Sequence, residues 1–253
     1  MRAEVIESQA AGWRVQCYDE VGSTNDLARE AGAAGAEWLA IFAESQTAGR
    51  GQRSNRWVTP KGRDLMFSIV LRPHEPLEFW PRFTTLAALA VCKGIEAMLP
   101  LKPEIKWPND IYLGSRKVCG LLAETSLSAT GSFLVLGIGL NVNATTFAPE
   151  LEDSAISLLK ALPPTLREID RESLAAAVLV ELRQAFALCE HDYAAALAEV
   201  RERSLLIGKT IRARVNESVV HGRVLDLNHE GHLVLQLADG SVTHLSSAAE
   251  VRW

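Results

Sequence analysis

Along the first 200 residues, short apolar runs alternate with longer segments whose apolar positions recur at helical spacing. Helical spacing covers residues 84–99, ending before Pro100, and then Glu172 to Arg203, as one long helix or two in succession. The apolar runs are bounded by turn-forming residues, so we expect them to be buried strands of one sheet. This mixture predicts an α/β or α+β domain. The runs are residues 38–44, 65–71, 117–124 and 133–140.

The pattern changes after Ser204. Short alternating segments follow one another, separated by turns that contain Asn and Gly, and this spacing is typical of β-hairpins. Several short strands in so few residues suggest a small closed barrel. We therefore predict two domains, a large mixed domain in residues 1–204 and a small β domain in residues 205–253.

Composition narrows the possible functions. With 253 residues, 48% of them hydrophobic, the chain can bury a sizeable core. Its net charge of -5 argues against general binding to nucleic acid or to a membrane surface, because the phosphate backbone rewards a cationic footprint. No apolar run approaches the roughly 20 residues that span a bilayer. The N-terminal residues carry acidic groups and lack the apolar region of a secretory signal.

The four cysteines point to a reducing compartment. They lie far apart and include no C-x-x-C, so a zinc site is not expected. Scattered buried thiols are typical of a cytoplasmic protein, and we predict that location. The cysteines are Cys17, Cys92, Cys119 and Cys189.

One glycine-containing stretch is basic although the protein is acidic. From Arg50 to Arg63 there are five basic residues and no acidic one. Glycine lets backbone N–H groups approach an anion closely, and arginine offers forked donors to phosphate or carboxylate oxygens. Neither a Walker P-loop nor a complete dinucleotide-binding pattern is present. Judged by its residues alone, this stretch fits three interpretations: a phosphate-binding loop, a nucleic-acid-binding patch or a solvated loop.

The sequence VGSTNDLARE, residues 21–30, predicts the start of a helix. Ser23 is followed three residues later by Asp26, a spacing in which the hydroxyl caps free N–H groups and the acid faces the positive helix end. Ser23 and Thr24 are also candidates to offer hydroxyls to a polar ligand. Both interpretations stay open on these residues.

Between residues 104 and 124, a second set of polar residues is inserted between two apolar, strand-like runs. Lys106, Asn109, Asp110 and Lys117 lie there, and Pro108 fixes a turn. An exposed hairpin has no need of W-P-N-D at its entrance, so we favour a functional role. A carboxylate and an amide beside two lysines are suited to a metal–phosphate group. The neighbouring tryptophan is equally suited to the core and to a ligand contact.

The sequence GIGLNVN, residues 137–143, ends an apolar strand with two asparagines. We expect Asn141 and Asn143 to lie where the edge of the sheet meets solvent. By itself the segment fits a simple turn better than a site.

Taken in order, these stretches resemble the biotin protein ligases. The resemblance rests on S-T-N, then Q-T-A-G-R-G-x-R…W, then K-W-P-N-D with R-K-V-C-G-L-L-A-E, and finally G-I-G-L-N-V-N. It covers nearly the whole chain. It implies an α/β (α+β) catalytic domain with a mixed sheet, like those of class II aminoacyl-tRNA synthetases, in residues 1–204. It also implies a small SH3-like β-barrel in residues 205–253.

The resemblance implies a two-step ligase that uses biotin, ATP and Mg²⁺. The biotin carboxylate attacks the α-phosphate of ATP and forms biotinyl-5′-AMP and pyrophosphate. A lysine of a biotin carboxyl carrier domain then attacks the mixed anhydride. The first step brings a carboxylate up to a polyanion, so cations must offset the repulsion. The adenylate hydrolyses readily, so a loop that covers it and excludes water is required.

Individual residues take roles by the same resemblance. Lys117 is expected to be the central cation, between the biotin carboxylate and the α-phosphate, with Arg50 as the second catalytic residue. The residues expected at biotin are Ser23, Thr24, Asn25, Gln46, Gly49, Arg50, Lys117 and Gly120. Those expected at ATP or the adenylate are Arg50, Arg53, Trp57, Asn109, Asp110, Lys117 and Asn141. Candidates for Mg²⁺ are Asn109, Asp110 and Asn141.

The chain departs from the family pattern at two places. In the basic loop, Gln52 replaces an arginine and Ser54–Asn55 replace Gly–Arg, which weakens the expected hold on the adenylate. In the small domain, Ser246 stands where some members have an arginine near ATP. We therefore expect no nucleotide contact from the C-terminal domain.

The resemblance also limits the partners. Longer family members carry an N-terminal DNA-binding domain, but only about 16 residues precede the catalytic domain here. We expect a short form without DNA or membrane binding, acting as a monomer or weak homodimer on a carrier protein. Two alternatives remain: a lipoyl or octanoyl transferase, and a non-catalytic sensor of biotin or nucleotide that acts through a partner. Lys117 argues against a pure sensor.

Overall fold

The apolar runs of the large domain form one seven-stranded mixed sheet in the computed structural model, which describes residues 1–52, 55–166 and 168–253, with the backbone alone at residues 190 and 191. The strands are β1 (Arg14–Tyr18), β2 (Leu39–Ala43), β3 (Leu65–Leu71), β4 (Glu104–Lys106), β5 (Asp110–Leu113), β6 (Arg116–Ser128) and β7 (Gly131–Leu140). Their order in the sheet is β1-β2-β3-β7-β6-β5-β4. Only β1 and β2 run parallel, and the other neighbours are antiparallel.

Helices cover both faces of this sheet, and the alternation along the strands decides which residues they meet. Leu39 and Ile41 pack with Ala28 of α2, whereas Ala40 and Phe42 belong to the larger core on the other face. Side chains alternate between the faces of a strand, so a strand with covered faces is apolar throughout. The helices are α1 (Ala3–Gln9), α2 (Thr24–Ala33), α3 (Pro81–Met98), α4 (Leu158–Ala161), α5 (Arg171–His191) and α6 (Tyr193–Glu202).

The sequence predictions for this domain are largely confirmed. The four apolar runs are β2, β3, β6 and β7 in one sheet. The long helical segment is two helices, because Asp192 accepts a hydrogen bond from Ala195 N and starts α6 anew. Strands β1 and β4 were missed, and each has one buried residue, Val15 in β1 at the edge of the sheet and Ile105 in β4.

The C-terminal segment forms a five-stranded antiparallel sheet of the SH3-like type, as expected. Its order is β11-β10-β9-β8-β12. The predicted hairpin segments are confirmed, but the last strand was missed. The strands are β8 (Thr210–Val215), β9 (Ser218–Leu227), β10 (Leu233–Gln236), β11 (Val242–Leu245) and β12 (Ala249–Arg252).

The two sheets share a core and direct backbone contacts. Ile105 in β4 donates to Arg203 O at 2.8 Å and accepts from Leu205 N at 2.9 Å. Trp107 Nε1 donates to Gly231 O, in the turn between β9 and β10, at 3.1 Å. The buried side chains of both sheets belong to one cluster. The β4 edge of the large sheet is thereby joined to the second sheet. In the part of the chain that the structure describes, no helix combines the length and apolarity needed to cross a membrane.

Helices α3 and α5 touch at Gly94, and this contact can be tested. A Cβ at Gly94 would lie 2.8 Å from Val178 Cγ2 and 2.9 Å from Val178 Cα, so the backbone of α5 would have to shift. Gly94→Ala should gain about 1 kcal/mol of helix propensity but lose about 1–3 kcal/mol by overpacking. We expect a net loss of about 1 kcal/mol in the free energy of unfolding, measured in urea.

The matched control is Gly22→Ala, where a Cβ meets nothing within 4 Å. Its unfolding midpoint should stay within error of the parent protein. An unchanged or raised midpoint for Gly94→Ala would show that the helices separate without cost.

Candidate active site

A cavity of about 730 Å³ opens beside the seven-stranded sheet. Its wall comes from the start of α2, the basic loop, the turn before β5, the central strands β6 and β7, residues 147–155, and β12 of the second sheet. Among the described site residues that were predicted, Gly49 does not line the cavity; Arg53 lies outside the described residues. The cavity brings together Ser23, Thr24, Asn25, Gln46, Arg50, Trp57, Lys106, Asn109, Asp110, Lys117, Gly120 and Asn141.

At the α2 end, small polar side chains form a buried hydrogen-bonded cluster. Gln46 Oε1 accepts from the backbone N–H of Thr24 at 2.8 Å. Ser68 Oγ lies 2.7 Å from Thr24 Oγ1 and donates to Asn25 Oδ1 at 2.6 Å. Buried polar groups that satisfy one another hold fixed positions, so this end of the cavity is set before a ligand arrives.

Ser23 is the N-cap residue of α2, as predicted, but its side chain makes no capping hydrogen bond. The expected hydroxyl cap is therefore wrong. The backbone carbonyl of Ser23 accepts from Asp26 N at 3.1 Å, and the free N–H of Thr24 is bound by Gln46 instead. Because Gln46 takes over the capping role, the Ser23 hydroxyl remains available on the cavity wall.

Arg50 lies in a network of charges between α2 and β6. Its Nη2 lies 2.8 Å from Asp26 Oδ1 and 3.6 Å from Glu124 Oε2. Arg29 contacts the same two carboxylates, at 2.9 and 3.1 Å. Asn25 Nδ2 donates to Glu124 at 2.6 Å, which links the network to the buried polar cluster. Arg50 thus anchors the basic loop at the α2 end of the cavity.

The described part of the basic loop is hairpin-like. Trp57 N donates to Gly49 O at 3.1 Å, and Gly51 N donates to Asn55 O at 2.7 Å. A Cβ at Gly49 would lie 2.4 Å from Trp57 O, so only glycine permits this approach. Gly49 therefore shapes the loop and does not line the cavity. Ser54 lies outside the described residues.

The ring of Trp57 lies on a glycine floor formed by β6 and β7. A Cβ at Gly139 would be 2.5 Å from Trp57 Cε2, and one at Gly120 would be 3.2 Å from Cζ3. Lys117 Nζ lies 5.6 Å from the centroid of the ring, within cation–π range. Trp57 Nε1 is buried and has no hydrogen-bond partner among the described residues. The ring therefore occupies cavity space beside the lysine and leaves one polar atom unsatisfied.

The ammonium of Lys117 is held in the cavity by several contacts. Its Nζ lies 2.6 Å from Asp110 Oδ1, and a Cβ at Gly120 would lie 2.9 Å from that ammonium. The backbone of Lys117 is fixed on the other side, since its N–H donates to Ser154 O and its carbonyl accepts from Ile156 N. The ammonium is thus held above the sheet at a defined place and faces the cavity.

Asn109 and Asn141 are partly structural. Asn109 Nδ2 donates to Leu121 O at 2.7 Å, and Asn141 Nδ2 donates to Ile156 O at 3.2 Å. These bonds fix the turn before β5 and the end of β7. No described residue donates to the Oδ1 atom of either asparagine, and both side chains line the cavity. Asn109, Asn141 and Asp110 therefore line the same cavity.

Lys106 lies between two aromatic rings without a carboxylate partner among the described residues. Its Nζ is 5.2 Å from the centroid of Tyr112 and 4.7 Å from that of Trp253, and it is 3.3 Å from the Tyr112 hydroxyl. Burial lowers the pKa of Lys106, the negative charge of Asp110 acts against this shift, and the positive charges of Lys117 and Arg252 add to it. An anion placed beside Lys106 would be stabilised by this ammonium.

The asparagines of GIGLNVN are buried, so their expected position at a solvent-facing edge is wrong. Asn143 exchanges hydrogen bonds with the backbone of Ile169 at 2.9 Å. The segment is also held by Asp64, whose Oδ1 accepts from the N–H groups of residues 142–144 at 2.7 to 3.2 Å. Sequence reasoning missed Asp64, since a lone acid before a strand carries no recognisable signal.

The structure also places Trp107, whose interpretation was open, and the buried Cys119. Trp107 is 6% exposed and lines the cavity, so it belongs both to the core and to the site. Cys119 is fully buried, and burial raises the pKa of its thiol far above the usual value. A buried, protonated thiol is a poor nucleophile, which argues against a transferase that uses Cys119.

The second sheet also reaches the cavity, which the sequence did not predict. Because Ser246 replaces an arginine, we expected no nucleotide contact from this domain. Instead, residues from the end of the chain line the cavity beside Lys106. They are Ala248, Glu250, Val251 and Arg252.

Comparison with protein families gives two matches. Residues 24–141 match the biotin/lipoate A/B protein ligase family, and residues 206–251 match the biotin protein ligase C terminal domain. The first range contains every predicted site residue that the structure describes except Ser23, and residues 147–155 of the cavity wall lie beyond it. The second range contains the residues of β12 that line the cavity except Arg252.

Individual proteins and structures agree with these matches. The bifunctional ligase/repressor BirA of Bacillus spizizenii is 32% identical over 240 residues, which are 93% of this chain and 73% of that protein. The biotin--[acetyl-CoA-carboxylase] ligase of Mycobacterium tuberculosis is 33% identical over 254 residues, covering 95% and 90%. The biotin protein ligase from Aquifex aeolicus in complex with biotin and ATP superposes with a TM-score of 0.83 at 26% identity, covering 94% and 98%.

The position of Trp57 on the glycine floor gives a spectroscopic prediction. Gly139→Ala should displace the ring, because the new Cβ would otherwise lie 2.5 Å from Cε2. Subtracting the emission of the matching Trp57→Phe variant isolates the contribution of Trp57. We expect that contribution to shift to longer wavelength in Gly139→Ala as the ring moves into water. Gly22→Ala is the control, and an unshifted Trp57 spectrum in Gly139→Ala would contradict the placement.

Proposed function

The chain belongs to the biotin protein ligase family, and we propose that it joins biotin to a lysine of a carrier protein in two steps driven by ATP. It is a ligase whose substrates are biotin and ATP. The observation that carries the detailed proposal is the position of Lys117. This ammonium lies beside the glycine floor and 2.6 Å from Asp110 Oδ1, in the cavity that the α2 cluster, Asn109 and Asn141 also line.

In the first step, a carboxylate oxygen of biotin attacks the α-phosphorus of ATP. The bond from that phosphorus to the bridging oxygen breaks, and its electron pair leaves with pyrophosphate. Both reactants are anionic, so a cation between them lowers the barrier by electrostatic stabilisation. We assign this role to Lys117. The ion pair with Asp110 holds the ammonium in position until the anions arrive.

We place the ureido ring of biotin at the α2 end of the cavity. The ring has N–H donors and a carbonyl acceptor, which match the amides and hydroxyls of the buried cluster. Arg50 then bounds the pocket and holds the loop through Asp26 and Glu124. Because Gly120 has no side chain, it leaves space against β6 for the aliphatic chain of biotin. The residues assigned to this end are Ser23, Thr24, Asn25, Gln46 and Arg50, with Gly49 acting through the shape of the loop.

We place the adenylate on the other side of Lys117. Trp57 has an aromatic face for the adenine, and the ring must leave part of the glycine floor to provide it. Asn109 and Asn141 offer amide oxygens at the cavity wall. Arg53 is retained as a proposed phosphate contact on the strength of the family motif alone. Closing this end by the basic loop would keep water from the mixed anhydride.

The donor set fits a magnesium ion that arrives with ATP. Mg²⁺ prefers oxygen ligands and is commonly held by one or two carboxylates together with substrate phosphates. Asp110 lines the cavity, and its buried Oδ1 is paired with the Lys117 ammonium at 2.6 Å, so one carboxylate is already placed beside the cation of the site. No group of three or more His, Cys, Asp or Glu side chains in the described ranges could hold a metal independently. Asp110, with Asn109 and Asn141, would hold the ion, which would supply further positive charge at the phosphates.

In the second step, the amine of a carrier lysine attacks the acyl carbon of biotinyl-5′-AMP and AMP leaves. The acceptor is proposed to be the biotin carboxyl carrier domain of an acetyl-CoA carboxylase, as the names of the relatives suggest. We also propose that residues 1–204 are the catalytic domain that binds biotin and ATP, and that residues 205–253 are a separate SH3-like domain. A cytoplasmic location and a monomer or weak homodimer complete the proposal.

Lys117→Ala is the direct test of this assignment. Loss of the central cation should lower biotin-dependent ATP–pyrophosphate exchange by about 100- to 1,000-fold, the usual scale for one electrostatic contact in the transition state. The fold should survive, because the Lys117 side chain is 31% exposed. The control is Lys93→Ala, which removes a lysine paired with Glu199 outside the cavity. Exchange near the parental rate in Lys117→Ala would refute the central assignment.

Gln52 gives a second test. It lines the cavity at the position where the family pattern has an arginine. Gln52→Arg should add a charge-assisted contact to the adenylate and slow its release roughly tenfold, equal to about 1.4 kcal/mol. The measurement is the rate at which labelled biotinyl-5′-AMP escapes from the protein. Gln236→Arg, at an exposed position of β10, is the matched control. Equal release rates for all three proteins would show that residue 52 does not contact the adenylate.

A further inference from the structure

The carboxylate of Asp64 joins two segments that lie far apart in the chain. Asp64 is 2% exposed and immediately precedes β3, at the end of the basic loop. Its Oδ1 accepts the backbone N–H groups of residues 142–144 at 2.7 to 3.2 Å. Its Oδ2 accepts a hydrogen bond from the hydroxyl of Thr59. A buried carboxylate that is satisfied by several donors holds each of them in a fixed position.

Thr59 belongs to the C-terminal arm of the basic loop, which follows Trp57. Among the described residues, Val58 and Thr59 make no hydrogen bond other than the one from Thr59 to Asp64. Val58 is 71% exposed, so packing of its side chain does not hold this arm. The bond from Thr59 to Asp64 is therefore the first attachment of the chain to the body of the domain after Trp57.

The other partner of Asp64 is the turn that follows Asn141. Asn141 N donates to Val118 O of β6 at 2.9 Å, so the turn begins beside a central strand of the cavity wall. A further bond holds it from the opposite side, since Leu158 N donates to Asn141 O at 3.0 Å. The place of this turn therefore depends on several contacts, whereas the attachment of Thr59 depends on Asp64.

Asp64 acts on the cavity from outside it. Of the residues that the structure describes, the cavity wall includes neither Asp64 nor Thr59, but it includes Trp57 and Asn141, which lie next to their two ends. An effect of Asp64 on a bound molecule must then pass through the basic loop or the turn. A loop that is attached at both ends loses less conformational entropy when it closes than a loop with one free arm.

We propose that Asp64 is a positioning residue for retention of the adenylate. Through Thr59 it holds the C-terminal arm of the basic loop, so that Trp57 closes at one defined place beside Asn141. The inference rests on the proposed function, in which this loop covers biotinyl-5′-AMP. Without the bond, the loop adopts more open arrangements, and the adenylate escapes faster.

Thr59→Val is the direct test, because it removes the hydroxyl, keeps the shape of the side chain and leaves Asp64 bound to residues 142–144. We expect labelled biotinyl-5′-AMP to escape about tenfold faster, the scale of one lost hydrogen bond to a charged group. Thr59→Ser keeps the hydroxyl and should restore the parental rate. The affinity for biotin, measured by calorimetry, should stay within about twofold of the parent, since the polar cluster at α2 is distant and unchanged.

The matched control is Thr47→Val, which removes an exposed hydroxyl before the loop, where the contact with Val21 O is long at 3.5 Å. Its escape rate should equal that of the parent. Asp64→Asn is a second variant of the same bond. The amide oxygen can still accept from residues 142–144, and the NH₂ group can donate to Thr59, so its escape rate should lie between those of the parent and Thr59→Val.

A readout without the adenylate separates this inference from the proposed function. Acrylamide quenching of the Trp57 emission, isolated by subtraction of the Trp57→Phe spectra, should be stronger in Thr59→Val than in the parent. If the parent shows no biotin-dependent exchange but the quenching rises in Thr59→Val alone, the attachment stands and the ligase function falls.

Three results overturn the inference while leaving the ligase assignment intact. The first is a parental escape rate in Thr59→Val. The second is an equal acceleration in Thr47→Val, which indicates general loosening. The third is an accelerated escape that Thr59→Ser does not reverse, since the hydroxyl is then not the cause.

Discussion

The site depends on one constraint, which is that residues 120, 137 and 139 are glycines and carry no side chain. Gly120 and Gly139 face each other across β6 and β7, the central strands of the sheet. A Cβ at Gly137 would lie 2.2 Å from Asn25 Oδ1, and one at Gly120 would meet Lys117. Both strands are paired on either side and cannot move away. A space against the sheet therefore exists only because these positions carry no side chain, and glycine in a strand interior often marks such a close approach.

That space brings charges together that a flat sheet would hold apart. Lys117 leans over the glycine at residue 120 and reaches Asp110 on the neighbouring strand. The carboxylates of α2 and β6 hold Arg50 at the other end of the cavity, so Arg50 and Lys117 occupy separate positions. Partial burial strengthens each interaction relative to water. The wall can thus present one cation to a carboxylate and others to phosphates without these cations competing for a single position.

Much of the fold was predictable because an unbroken apolar run indicates a strand that is covered by other elements on both faces. β2 and β3 are buried at every position and were found within one residue of their ends. β1 was missed because an edge strand needs few apolar residues, and β12 because it is short and irregular. In the site, motifs identified Lys117 and Asp110, since their spacing is local in the sequence. The hydrogen bond from Gln46 to Thr24, the role of Asp64 and the place of Arg252 depend on contacts between distant segments, which no local pattern encodes.

The joining of the two sheets follows from the same geometry. β4 has no further strand of its own sheet beyond it, so an unpaired edge would remain there. Ile105 instead bonds to the segment that leads into the second sheet, and Trp107 donates across to Gly231. These contacts belong to the turn that also carries Asn109 and Asp110. Satisfying the exposed edge of the large sheet therefore brings the small sheet against the cavity, and it places β12 where its charges can act on whatever the cavity holds.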